Sequence, residues 1–162
     1  MPDPEPEQRR TFWILLVEDN PGDIRLIREG LKRSSATVAL AVTRDGAEAI
    51  EYLHAMLAGA HARPDLILLD LNLPRKSGRE VLVEIKSHPV LRSIPVLVLS
   101  SSTAEEEVNA AYELSANSYI SKPADLTEYM TIIRMIGSYW FRTAKLPNES
   151  LAAYPETLAL SS

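Results

Sequence analysis

The chain has 162 residues, 17 of them basic and 22 acidic, a formal net charge of −5 and no cysteine. That length predicts one domain with a single core, able to bury about two thirds of the surface its unfolded form would expose. The acidic balance argues against salt-driven contact with nucleic acid or anionic lipid; the missing thiols exclude disulfides and thiolate metal sites; and every apolar run breaks at a charge or proline before it could span a bilayer.

Residues 1–10 read as a flexible leader, because Met1-Pro2-Asp3-Pro4-Glu5-Pro6-Glu7 has too little apolar content to repay ordering. An acidic, proline-rich start is also the opposite of a signal peptide, so a cytoplasmic protein is expected. From there the pattern alternates. Apolar runs at residues 12–17, 37–42, 66–70, 96–100 and 118–121 are each followed by a stretch of helical period. Strands buried on both faces read as continuous apolar runs, and right-handed crossovers put helices on both sides of a parallel sheet. The fold class is therefore α/β, doubly wound, with five parallel strands, and the domain is expected over residues 11–142.

The helix signals are local. Asn20-Pro21 offers a cap and a first-turn proline ahead of Ile24, Ile27 and Leu31, and Asp45-Gly46 precedes Ala47, Ile50, Leu53 and Leu57. A short third helix starts near Ser77-Gly78 with Val81, Leu82 and Ile85 on one side. Thr103 and Glu106 have capping-box spacing for the fourth, whose start carries Glu105, Glu106 and Glu107. The fifth runs from about Leu126 through Tyr129, Ile133 and Ile136 to Trp140. Residues 143–162, with Pro147 and Pro155 and no sustained period, read as an extension that is loose or lies at an interface.

Chemistry concentrates at the strand exits. In an open α/β sheet ligands sit at the carboxyl ends of the strands, and there the chain places Glu18 and Asp19, Asp70, Ser100 and Lys122. Mg²⁺ takes oxygen ligands and is usually held by one or two carboxylates beside a phosphate, which suits Asp19, Asp70 and a backbone carbonyl. Glu18 adds a third negative charge whose repulsion a divalent cation relieves. Asp70 is then the candidate nucleophile, since a carboxylate can attack phosphorus and form an aspartyl phosphate. Lys122 can pair with one phosphoryl oxygen and the Ser100 hydroxyl with another. Each residue alone has a plainer explanation: Asp70 or Asp19 as a helix cap, Ser100 as part of a polar Ser100-Ser101-Ser102 loop, Lys122 as a solvated turn lysine. Their joint placement at one edge carries the case.

Val17-Glu18-Asp19-Asn20, Leu69-Asp70-Leu71-Asn72-Leu73-Pro74, the serines after Val96-Leu97-Val98-Leu99, and Tyr119-Ile120-Ser121-Lys122-Pro123 resemble the signature of two-component response-regulator receiver domains. The resemblance covers about residues 13–141. It implies a flavodoxin-like fold with strand order 2-1-3-4-5. It also implies Mg²⁺ on Asp19, Asp70 and the Asn72 carbonyl with Glu18 in support, and phosphorylation of Asp70 by a histidine kinase. Ser100 and Tyr119 would be switch residues that remodel the face made by the fourth helix, fifth strand and fifth helix, and Lys122-Pro123 would be a cis peptide, a form nearly confined to proline. The runs Val17 to Ile27, Arg63 to Leu82 and Tyr139-Trp140-Phe141 with Leu146-Pro147 are further similar to single-domain regulators paired with bacterial phytochrome kinases, which implies a red-light receptor as phosphodonor.

No output module is expected after the fifth helix, so the signal should leave by protein contact. Trp140 and Phe141 end that helix as large apolar groups with nothing obvious after them to bury against, which points to a homodimer through the helix 4, strand 5, helix 5 face. Packing of Trp140 on its own domain is the plainer alternative. Three other classes compete. A haloacid-dehalogenase-like phosphotransferase or phosphatase places an acid two residues past its nucleophile, where this chain has Asn72, which cannot act as a general acid at pH 7. A flavin carrier needs a phosphate-cradling loop where Glu18-Asp19-Asn20-Pro21 would repel an anion. A receiver serving as an unphosphorylated adaptor has no need of the intact acid set and Lys122.

Overall fold

The computed structural model describes residues 10–147. Five strands, β1 (Thr11–Val17), β2 (Thr37–Thr43), β3 (Leu66–Asp70), β4 (Val96–Ser100) and β5 (Ser118–Ser121), form one parallel sheet in the order β2-β1-β3-β4-β5. Helices α1 (Pro21–Lys32), α2 (Gly46–Leu57), α3 (Gly78–Ser87), α4 (Glu105–Glu113) and α5 (Leu126–Ser138) fill the crossovers. This is the doubly wound α/β class expected from the alternation of apolar runs, in the flavodoxin-like strand order that the receiver resemblance implies.

Successive strand residues point to opposite faces, and both faces are covered. Leu15, Val17, Ile67, Leu69, Val96 and Val98 meet the buried stripes of α2 and α3, with Ala111 of α4. Ile14, Leu16, Leu66, Leu68, Leu97 and Leu99 meet Ile24, Ile27 and Leu31 of α1 and Tyr129, Ile133 and Ile136 of α5. The stripe of α2 is Ala49, Ile50, Leu53 and Met56, so Ala47 and Leu57 stand at its margin instead of its centre.

Caps decide where the loops turn. Asn20, Asp45, Ser77 and Asp125 each accept a backbone N–H from the first turn of the following helix, and Ser77 with Glu80 completes a capping box. The expected box at Thr103 and Glu106 does not form. Helix α4 begins one residue later than that spacing requires, with Ala104 at its cap, and Ser102 Oγ accepts the Ala104 N–H instead. The three glutamates of its first turn favour the helix start electrostatically without a side-chain cap. The Lys122–Pro123 bond is trans, against the expected cis form: proline makes cis accessible, while trans remains the lower state by about 0.5–1 kcal/mol.

Two ends of the domain also differ from expectation. Arg10, assigned to the loose leader, is tied down by an ion pair with Asp65 and lies over the Phe12 ring; residues 1–9 of that leader lie outside the described residues. After α5 the chain widens into a π-helical turn, Tyr139–Thr143, which turns Phe141 inward. Phe141 is buried and stacks on Phe12 with ring centroids 4.4 Å apart. It is a core residue of its own domain, because the start of β1 supplies the partner that its sequence neighbours do not. Phe141→Ala is expected to lower the unfolding free energy by about 3–5 kcal/mol, read by urea denaturation; a near-neutral result would return Phe141 to the surface. Leu146 also packs on this core, while residues 148–162 of the expected extension lie outside the described residues.

Gly78 shows how tightly the loop after β3 is drawn. A Cβ there would fall 2.2 Å from the Asp70 carbonyl oxygen and 2.6 Å from Leu71 Cα, and its N–H donates to the Leu71 carbonyl at 3.1 Å. Gly78→Ala is therefore expected to destabilise by about 1–3 kcal/mol and to shift the Asp70 backbone. Denaturation together with amide chemical shifts at Asp70 measures both.

Candidate metal and phosphoacceptor site

Five of the predicted residues, Glu18, Asp19, Asp70, Ser100 and Lys122, land at one end of the sheet. Glu18 and Asp19 leave β1, Asp70 ends β3, Ser100 ends β4, and Lys122 follows β5. Parallel pairing puts these exits side by side, with Val17 opposite Leu69 and Asp70 opposite Leu99. Lys122 is drawn in by its own backbone, whose N–H donates to the Ser100 carbonyl at 2.7 Å.

Its ammonium is the hub of the site. Lys122 Nζ donates to Glu18 Oε2 at 2.8 Å, to Asp23 Oδ2 at 2.9 Å and to Asp70 Oδ2 at 3.4 Å. An ammonium has three donors, and all three are engaged. Asp23 is the site residue the sequence reading did not single out. It occupies the first turn of α1, where an acid is already explained by the helix dipole, so no signal in the linear text distinguished it.

The carboxylates are held from behind. Asp70 Oδ1 accepts the Asn72 N–H at 3.1 Å and Glu18 Oε1 accepts the Asn20 N–H at 3.1 Å. Glu18 is fully buried and Asp70 nearly so, while Asp19 is exposed. Burial pushes the Glu18 carboxyl up to about 7; the hydrogen bond and charge of Lys122 pull it down, and the neighbouring Asp70 adds to the rise. Lys122 moves the other way. Burial alone would depress it, but hydrogen bonds to Glu18 and Asp23 and the charges of Glu18 and Asp70 hold it above its ordinary value.

Oxygens of Glu18, Asp19 and Asp70 lie within 4.8 Å of one another. Three hard oxygen donors, one open to solvent and two backed by hydrogen bonds, fit a divalent cation of the Mg²⁺ or Mn²⁺ kind. The cluster carries excess negative charge that one lysine only partly offsets, and a divalent cation would offset the rest. Asp19→Asn removes the exposed carboxylate of the cluster without touching the lysine contacts. It is expected to weaken Mg²⁺ binding at least tenfold by calorimetry; an unchanged affinity would remove Asp19 from the ligand set.

Ser100 is not the polar loop residue of its plainer explanation. It is fully buried, and its Oγ accepts the Ser102 N–H at 3.2 Å. Tyr119 hydroxyl donates to the Ser102 carbonyl at 2.8 Å, and the Tyr112 hydroxyl accepts the Tyr119 N–H at 3.2 Å. The two predicted switch residues thus meet through Ser102, at the entry to α4. Trp140 lies apart from this site, half-buried and edge-on to the exposed Tyr139.

The response regulator receiver domain profile matches residues 14–134. Response regulator Rcp1 of Synechocystis sp. is 47% identical over 135 residues, covering 83% of this chain and 92% of Rcp1. Among solved structures, that of the phosphorylated cyanobacterial phytochrome response regulator RcpA is 50% identical with a TM-score of 0.81, covering 86% of this chain and all of that one. The Mn²⁺-bound form of Rcp1 is 46% identical with a TM-score of 0.80, covering 85% of this chain and 99% of that one. With the receiver profile matching residues 14–134 and Rcp1 47% identical over most of both chains, the chain belongs to the response-regulator receiver domains.

Proposed function

We propose that this response regulator accepts a phosphoryl group on Asp70 from a sensor histidine kinase, with Mg²⁺ bound by Asp19, Asp70 and the Asn72 carbonyl and supported by Glu18. The observation that carries the reading is the three-way contact of Lys122 with Glu18, Asp23 and Asp70. It holds an ammonium 3.4 Å from the nucleophile. An oxygen of the Asp70 carboxylate attacks phosphorus; the new O–P bond forms as the donor's bond breaks, to imidazole nitrogen in a phosphohistidine or to carboxylate oxygen in acetyl phosphate. A divalent cation held by Asp19 and Asp70, with Glu18 in support, would supply positive charge to the transferred group. Lys122 pairs with one phosphoryl oxygen and Ser100 Oγ with another, and catalysis is positioning and electrostatics.

The kinase we assign is a phytochrome, on the likeness to Rcp1 and RcpA. Ser100 and Tyr119 would pass the change to the surface of α4, β5 and α5, where a second copy docks. Support for that surface is a groove lined by Ile120, Ile132, Met135, Tyr139 and Trp140, with Met135 and Tyr139 exposed beside it. Trp140 keeps its interface role in this proposal, and Phe141 leaves it. A cytoplasmic location is part of this proposal; among the described residues no helix is long and apolar enough to cross a membrane.

Incubation with acetyl phosphate and Mg²⁺, followed by intact-mass measurement, tests the phosphoacceptor reading: a gain of one phosphoryl group is expected, and no gain would favour an unphosphorylated adaptor. Phosphotransfer from an autophosphorylated phytochrome kinase, timed against an unrelated kinase, tests the pairing. Equal rates would remove it.

A further inference from the structure

The two edges of the sheet are finished differently. Strand β5 is four residues long, begins and ends on serine, and has its Tyr119 N–H taken by the Tyr112 hydroxyl at 3.2 Å. Strand β2, at the other edge, runs for seven residues, Thr37-Val38-Ala39-Leu40-Ala41-Val42-Thr43, with no charge, no proline and no bulge in its pairing with β1. Edge strands are usually blunted by one of those devices, because a row of unpaired N–H and C=O groups invites another chain. Val38 to Val42 are half-buried, where the equally apolar β3 and β4 are fully buried.

The hydrogen bonds to β1 fix which groups of β2 are free. The Glu18 N–H donates to the Thr43 carbonyl at 3.0 Å, so Thr43 turns its backbone toward β1. Backbone direction alternates along a strand, so Thr37, Ala39 and Ala41 face β1 as well, and the N–H and C=O groups of Val38, Leu40 and Val42 face outward. Among the described residues no strand pairs with that outer edge. The side chains of Val38, Leu40 and Val42 lie on the α1 and α5 side of the sheet. There a groove of about 180 Å³ lined by Arg28, Leu31, Lys32, Val38 and Leu40 leaves the strand uncovered by α1.

The residues of β2 read the same in both directions about Leu40. We propose that β2 pairs antiparallel with β2 of a second copy across a two-fold axis at Leu40, joining two five-stranded sheets into one. Leu40 then meets Leu40, Val38 meets Val42, Ala39 meets Ala41 and Thr37 meets Thr43, and the same patch serves both copies in a closed dimer. The outward groups of Val38, Leu40 and Val42 are symmetrical about that same axis, so each of these pairs exchanges two hydrogen bonds. The palindrome lies in the side chains and the outward set in the pairing with β1, and the two share a centre. A slip of one residue would set outward groups opposite inward ones. Arg44, the first charge past the strand, falls opposite Ala36, so no like charges meet. Leu40 and Val42 of the second copy fill the groove beside Val38 and Leu40. This edge is at the far end of the sheet from β5, so it is an interface separate from the α4, β5, α5 surface and independent of phosphorylation.

The chain has no cysteine, so introduced thiols report the register directly. Opposed antiparallel residues that do not exchange hydrogen bonds have Cα atoms about 4.5 Å apart, within disulfide reach, and Ala39 opposite Ala41 is such a pair. Ala39→Cys alone and Ala41→Cys alone are expected to form little disulfide-linked dimer, because each position faces the other and not itself. Their equimolar mixture, oxidised mildly at micromolar concentration, is expected to give about tenfold more product at twice the chain mass on a non-reducing gel. Leu40→Cys, on the axis, is expected to cross-link with itself, and Trp140→Ala added to each variant is expected to leave all yields unchanged. No excess in the mixture together with no product from Leu40→Cys would overturn pairing between copies and leave the edge to a strand of another protein. Either alanine variant cross-linking alone as well as the mixture would overturn the register. Loss of the product with Trp140→Ala would overturn β2 as a separate interface.

Discussion

Asp70→Asn is expected to abolish phosphoryl uptake from acetyl phosphate while leaving the fold intact. The amide preserves the size of the side chain and its Oδ1 can still accept the Asn72 N–H seen at 3.1 Å. What is lost is the anionic oxygen. A carboxylate attacks phosphorus through a lone pair that carries charge, and an amide oxygen at neutral pH is far poorer in that role. Rate losses on removing a nucleophile reach several orders of magnitude, so intact mass after prolonged incubation with Mg²⁺ should show no added phosphoryl group. The same substitution removes one negative charge from the cluster of Glu18, Asp19 and Asp70, so Mg²⁺ affinity should fall as well. Phosphoryl uptake persisting in Asp70→Asn at the parental rate would move the acceptor to another side chain and end the assignment. Peptide mapping of the modified protein would then identify it.

Lys122→Met is expected to lower the unfolding free energy by about 3–5 kcal/mol in EDTA, the range found when one partner of a buried ion pair is removed. Lys122 contacts three carboxylates, one of them fully buried, and is itself little exposed. Methionine keeps most of the aliphatic stem, so the loss reports the charge and not the packing. Without the ammonium, Glu18, Asp23 and Asp70 face one another unopposed, and Glu18 is the most penalised because burial already pushes it up. A divalent cation offers the missing positive charge. Mg²⁺ at 100 times its dissociation constant adds about 2.7 kcal/mol, and the variant should draw more from Mg²⁺ than the parent does, since the cation no longer competes with lysine for Glu18 and Asp70. Urea titrations of both proteins with EDTA and with Mg²⁺ measure the difference. Equal stabilisation by Mg²⁺ in both would mean that cation and ammonium do not share these oxygens.

The site was legible in the sequence to the extent that it is built from strand ends. A continuous apolar run such as Leu66-Ile67-Leu68-Leu69 announces a strand with both faces buried, and the polar residue that closes it is necessarily at a sheet edge. That reasoning reached Glu18, Asp19, Asp70, Ser100 and Lys122. It could not reach Asp23, which lies on a helix whose rotation about its own axis is set by packing. An acid in a first helical turn has a sufficient local explanation, and local patterns stop at the first one. Phe141 failed for a related reason: its partner, Phe12, is 129 positions earlier in the chain.

The amino-acid sequence by itself determined the order of strands and helices, the faces that are buried and the caps at Asn20, Asp45 and Ser77, because these depend on residues within a turn or two of each other. It also determined which ionisable groups stand at strand exits. Only the tertiary structure decided that one ammonium would serve Glu18, Asp23 and Asp70 together, that Ser100 would be fully buried, and that the Tyr129 hydroxyl would be buried with no hydrogen-bond partner among the described residues. Contacts of that kind span up to 104 positions. They exist because a parallel sheet forces distant strand ends into one place, where a buried charge must find whatever partner the packing of the helices supplies.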